Sequence, residues 1–173
     1  MKENEKVRKL IELFDVTFQH YNTRLILGDD EPLYAPQDQH IPYHRIIFAH
    51  GFFSSALHEI AHWCLAGEKR RLQTDYGYWY EPDGRNEKQQ AEFELVEVKP
   101  QAIEWGFSLA SNHKFRVSTD NLNGAQPNTE AFAKAVETQL GVYMENGFPP
   151  RAQVFIHALQ KTFNVSSMCG SLA

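Results

Sequence analysis

Residues 52–66 read FFSSALHEIAHWCLA, and the rest of the chain is organised around this stretch. Gly51 and Gly67 punctuate its two ends and its residues are largely apolar, which predicts a helix. Within it, His58-Glu59-Ile60-Ala61-His62 forms an H-E-x-x-H pattern. A helix turns about 100° per residue, so positions i and i+4 lie nearly above one another. The two imidazoles then project from one face and can share one cation. Glu59 is rotated away from them, near a bound metal but poorly placed as a ligand. In zinc peptidases that position holds the general base.

Composition narrows the function classes. With 173 residues, 42% of them hydrophobic and 13% aromatic, the chain can bury a real core. The expected class is α+β and mainly helical: one compact catalytic domain over residues 1–165, with a few short strands around the H-E-x-x-H helix and a flexible tail at 166–173. A net charge of −5 argues against a nucleic-acid partner held through phosphates. Cys64 and Cys169 make no disulfide framework and read as reduced thiols of a cytoplasmic protein. The charged start, MKENEKVRK, is not a signal peptide, and no apolar run is long enough to span a membrane.

Around the central helix the periodicities are clear. Val7, Leu10, Ile11, Phe14, Phe18 and Tyr21 form one stripe, predicting a helix over 5–21. TRLIL at 23–27 and RIIFA at 45–49 read as strands, and 33–44, with Pro36 and Pro42, as an irregular connection. Leu72–Tyr80 has aromatic, strand-like content. Asn86 with Gln89 is a capping-box pattern opening a helix to about Val98. Pro100 predicts a break or kink there, with the helix resuming over 101–110. Phe115–Ser118 is a further strand expectation. Phe132, Val136, Leu140 and Tyr143 mark one late helix; Phe155, Leu159 and Phe163 mark the last.

A third metal ligand has to come from elsewhere, and catalytic sites commonly add a carboxylate. The helix from residue 87 offers Glu94 and Glu97, three apart on one face. Val96, Val98 and Pro100 make the surroundings of Glu97 the more apolar, which favours it and leaves Glu94 open. Two His and one carboxylate suit a tetrahedral zinc, for hydrolysis. They suit equally a ferrous ion with several open positions, for oxygen chemistry. On the motif alone a zinc metallopeptidase comes first, and a non-catalytic, metal-stabilised binding module is a further alternative.

The chain resembles the bacterial elongation factor P hydroxylase family. The likeness runs through NTRLILGDDEPLY, PYHRIIFAHGFFSSALHEIAHWCLAG, YGYWYEPDGR, FELVEVKPQAIEW and DNLNG. The resemblance implies a two-His-one-carboxylate metal site, with His58 and His62 in the His places and Glu97 as the carboxylate, Glu94 remaining open. It implies oxidation rather than hydrolysis: an oxygen-dependent hydroxylase, with Fe(II) as the metal and dioxygen as co-substrate. The implied partner is elongation factor P carrying a β-lysyl-modified lysine. Asp29 and Asp30, in an acidic loop, and Tyr78 and Trp79, on an aromatic wall, would receive that cationic arm by charge pairing and cation–π contact. Glu59 is then a base or a partner that orients a ligand.

Overall fold

In the computed structural model the described residues are 2–29, 31–75, 86–119 and 129–166. They form five helices and one small sheet, the mainly helical α+β arrangement expected. The first helix, α1 (Glu3–Thr17), buries Val7, Leu10 and Phe14, and a 3-10 turn at Gln19–Tyr21 leads from it into the sheet. Its Asp15 accepts a hydrogen bond from the Leu25 amide, fixing helix against strand. The sheet has the order β1 (Thr23–Leu27), β3 (His44–Phe48), β2 (Leu33–Ala35). The outer strand β1 runs parallel to the central β3, and β2 runs antiparallel to it. The strand β2 corrects the expectation of an irregular connection at 33–44. Pro32 and Pro36 bracket it, so it is as short as an edge strand can be and still pair.

The central strand delivers the chain to α2 (Phe53–Leu65) through a sharp turn, in which His50 and Gly51 both take positive φ, 57° and 68°. Only glycine adopts that conformation without cost. The side chain of Glu3 accepts from the Phe53 amide and supplies the N-terminal cap that Phe52 cannot. At the other end, one Arg151 nitrogen donates to the carbonyls of Trp63, Cys64 and Ala66, and Arg71 donates to Ala66 as well. These cations satisfy the orphan acceptors of the last turn and oppose its negative dipole end. Arg151 also lies over the Trp63 ring. Arg151→Ala should therefore cost about 2–4 kcal/mol in urea unfolding, because half-buried carbonyls lose a charged donor. Lysine should recover less than half of it, since one ammonium cannot reproduce the planar fork.

The core lies between α1, α2, α3 (Glu87–Ala110) and α5 (Pro150–Phe163), where Phe14, Phe18, Trp63 and Phe155 pack ring against ring. The remaining helix, α4 (Thr129–Asn146), buries Phe132, Val136 and Leu140 against α3. Gly106 allows Phe148 to approach α3 closely: a Cβ there would stand 2.6 Å from the Phe148 ring.

Of the break or kink expected at Pro100, the structure overturns the break. The helix α3 runs unbroken from 87 to 110 with Pro100 inside it. A proline removes one backbone donor and crowds the preceding turn, typically costing about 3 kcal/mol. Here its ring is buried, and the carbonyl deprived of a donor belongs to Val96, which is half open to water. Phe115–Ser118 is not a strand. Its Ser118 instead pairs with a side chain, donating its amide to Gln101 and accepting from the same carboxamide. In the stretch 72–80, Leu72 closes a 3-10 turn and Asp75 alone bridges to Tyr34; residues 76–80 lie outside the described residues. Of the tail at 166–173, only Ser166 is described.

Candidate metal centre

Two polar stripes meet where α2 crosses α3. On α2 the stripe is His58 and His62, one turn apart. On α3 it is Glu97, Gln101 and Glu104, at i, i+4 and i+7, all buried. Helical geometry makes each set share a face. The groups on α3 are buried and the two imidazoles on α2 half-buried, and each needs a partner.

The partners converge. His58 Nε2 stands 3.1 Å from His62 Nε2. Glu97 reaches both imidazoles, with Oε1 3.2 Å from His62 Nε2 and Oε2 3.5 Å from His58 Nε2. Gln101 donates to Glu97 Oε2 and steadies the carboxylate. The two Nε2 atoms and the Glu97 carboxylate form a triangle of donor groups, and its size is informative. Two ligands bonded at about 2.1 Å to one ion stand about 3.0 Å apart at a right angle and about 3.4 Å apart at a tetrahedral angle. The 3.1 Å between the imidazoles and the 3.2 Å to Glu97 Oε1 fall in that range and the 3.5 Å to Oε2 lies just beyond it, so His58, His62 and Glu97 together could hold a metal ion. Glu94 is turned elsewhere on α3, accepting from Gln90.

Beside this triangle a cavity of about 470 Å³ opens against Glu59 and His62. Trp63, Leu65, Val96 and Pro100 give it apolar walls, while Tyr34, Asp75 and Lys99 add polar groups. Arg70 also borders it, but its guanidinium pairs with Asp75 at 2.7 Å. Glu59 is half-buried. Burial pushes its carboxyl above the usual carboxylate range, the two imidazoles pull against that, and Glu97 and Glu104 push it further up. It is thus a group able to hold or take a proton at the cavity wall.

Residues 13–171 match the elongation factor P hydroxylase family. A protein of Haemophilus influenzae named elongation factor P lysine hydroxylase is 51% identical over 155 residues, covering 89% of this chain and 87% of its own. The chain belongs to the elongation factor P hydroxylase family. Family membership thus agrees with the likeness read from its sequence blocks.

Of the other expected site residues, Asp29 alone is among the described residues. Asp29 is exposed beyond the end of β1, its backbone carbonyl bonded to the His50 amide, and it does not line the cavity. Asp30, Tyr78 and Trp79 lie outside the described residues. Three neighbours of the site were not foreseen: Gln101, Asp75 and Glu104, whose Oε2 stands 2.8 Å from His58 Nδ1. Among the described residues, no helix is long and apolar enough to cross a membrane.

The electrostatics would make the uptake of a metal at this site pH-dependent. Burial alone would depress the His58 imidazole. The carboxylates of Glu97 and Glu104 outweigh it and push the group up to about 10 from 6.5. Without metal, the His58 proton adds stability that is complete below 6.5 and is lost as pH rises through about 10. A metal must displace that proton. Across neutral pH, affinity should therefore rise about tenfold per pH unit, with about one proton released per ion bound. Calorimetry in buffers of different ionisation enthalpy measures that proton directly.

Proposed function

We propose that this protein is an oxygen-dependent hydroxylase of elongation factor P, in which His58, His62 and Glu97 hold one ferrous ion. The observation that carries the reading is the donor triangle between α2 and α3, in a chain of a hydroxylase family. The donor set itself suits zinc and iron alike; the oxidative activity in the relative's name favours iron. A bound ferrous ion would supply the one-electron chemistry that dioxygen needs before it can attack an unactivated C–H bond.

The chain's own residues do the rest. Gln101 and the helix pair hold the three donors in place, so little rearrangement accompanies loading. The cavity beside them receives the substrate arm, a lysine extended with β-lysine. The walls of Trp63, Leu65 and Pro100 take its methylenes and keep water back. Glu59, a carboxylate lining the cavity with His62, accepts a hydrogen bond from an amine of the arm in this reading. The net change is one C–H bond converted to C–OH, with the second oxygen atom leaving as water and two electrons drawn from a reductant.

Mass spectrometry of β-lysylated elongation factor P, incubated with the protein, iron, oxygen and a reductant, tests this. The expected product is heavier by one oxygen atom, and the oxygen derives from labelled dioxygen. Cleavage of peptide with zinc in the absence of oxygen would overturn the reading.

A further inference from the structure

We propose that Glu104 is a positioning residue for the metal centre: it accepts a hydrogen bond from His58 Nδ1–H and so aims Nε2 at the ion. This rests on the reading of His58, His62 and Glu97 as a ligand set. The geometry is specific. An imidazole has two nitrogens, and which one is free to ligate is set by the bond that the other makes. In His58 they are divided between two carboxylates of the same helix. Nδ1 lies 2.8 Å from Glu104, while Nε2 lies 3.1 Å from His62 and 3.5 Å from Glu97. Glu104 is only 7% exposed, and a carboxylate so buried needs a donor close by.

The position of Glu104 follows from the fold. It stands seven residues, two helical turns, after Glu97, so both reach the same face of α3 only because the helix continues through Pro100. Gln101 lies between them and serves Glu97. One helix thus provides a donor to the ion, a support for that donor, and an anchor for the facing ligand. A purely structural reading of Glu104, as a tie between α2 and α3, predicts a loss of stability and no change in how the imidazole binds. The positioning role predicts the opposite division.

The test is zinc and cobalt titration of the full chain at fixed pH, by chelator competition, for wild type, Glu104→Ala and the isosteric Glu104→Gln, with nitrogen-15 spectra of the zinc-loaded imidazoles. Wild type should show His58 bound through Nε2 and protonated on Nδ1. Glu104→Ala should bind about 10–100-fold more weakly. Glu104→Gln keeps an acceptor oxygen and the same volume, so it should fold and recover part of that affinity with the same tautomer. Equal zinc affinity in wild type and in both folded variants would overturn the role of Glu104 alone. Should Glu104→Ala fail to fold, Glu104→Gln decides: a His58 bound through Nδ1, or unchanged affinity and spectrum for the cobalt complex, would overturn it. Metal binding in wild type that survives His58→Ala would overturn the ligand set, and this proposal with it.

Discussion

His62→Ala should leave a folded protein that neither retains metal nor hydroxylates elongation factor P. His62 is one of three donors on the triangle, and its side chain is 19% exposed at the cavity wall. Water can fill the space that the ring vacates, so the stability change should stay under about 2 kcal/mol. The metal cannot be compensated in this way. Loss of a partner that merely supports a ligand costs about 10–100-fold in affinity, and loss of the ligand itself should exceed that. Glu97 behaves differently because it is 1% exposed and stands between two imidazoles. Glu97→Ala would leave the half-buried His58 cation with one carboxylate fewer, at a cost below the about 3–5 kcal/mol of a fully buried pair. Glu97→Gln preserves the packing and the Gln101 contact, so it isolates the chemical loss. Metal content by mass spectrometry and thermal melts by circular dichroism separate the two effects. A Glu97→Gln protein with full metal and full activity would move the carboxylate ligand to Glu94.

The core of this arrangement was legible because periodicity reports it directly. The stripe from Val7 to Tyr21, the alignment of His58 with His62, and the capping box at Asn86 and Gln89 are local patterns, and a helix has one way to satisfy them. Both parallel strands were found for the same reason: short apolar runs with turn residues beyond them. What failed was non-local. The edge strand at 33–35 exists only because β3 offers it hydrogen bonds, and three residues between two prolines carry no period of their own. The segment 115–118 is not a strand: Ser118 pairs with the side-chain amide of Gln101 rather than with another backbone.

Pro100 was the most consequential case. Reading it as a break divides α3 and puts 97 and 104 on separate helices, which hides Glu104. Seen as one helix, the spacing of Glu97, Gln101 and Glu104 is as regular as that of His58 and His62. The signal was present, and a rule that holds for most helix interiors masked it. The proline is accommodated with its ring buried, and the residue whose carbonyl loses its donor, Val96, is half exposed.

Glu59→Gln separates the two chemistries that H-E-x-x-H can support. In a zinc peptidase the glutamate takes a proton from metal-bound water, so the amide should remove nearly all turnover while the metal stays bound. In the hydroxylase proposed here, no water has to be deprotonated for attack, and Glu59 acts on the arm or on its neighbours. It lines the cavity beside His62, and its raised carboxyl is sustained by burial against the pull of the imidazoles. The amide can still accept a hydrogen bond from an amine but carries no charge to pair with it. A charge-assisted bond is roughly twice as strong as a neutral one, and a supporting partner of a metal site is worth about 10–100-fold. Glu59→Gln should therefore hydroxylate at about one-tenth to one-hundredth of the wild-type rate at equal, sub-saturating iron and substrate. If pairing with the arm dominates, the loss falls mainly on the Michaelis constant. If the glutamate mainly orients the ligands, excess Fe(II) restores part of it. Quantitative mass spectrometry of modified elongation factor P over a range of substrate and iron concentrations resolves the two. Complete loss of turnover at full iron occupancy would make Glu59 a direct participant in the proton chemistry.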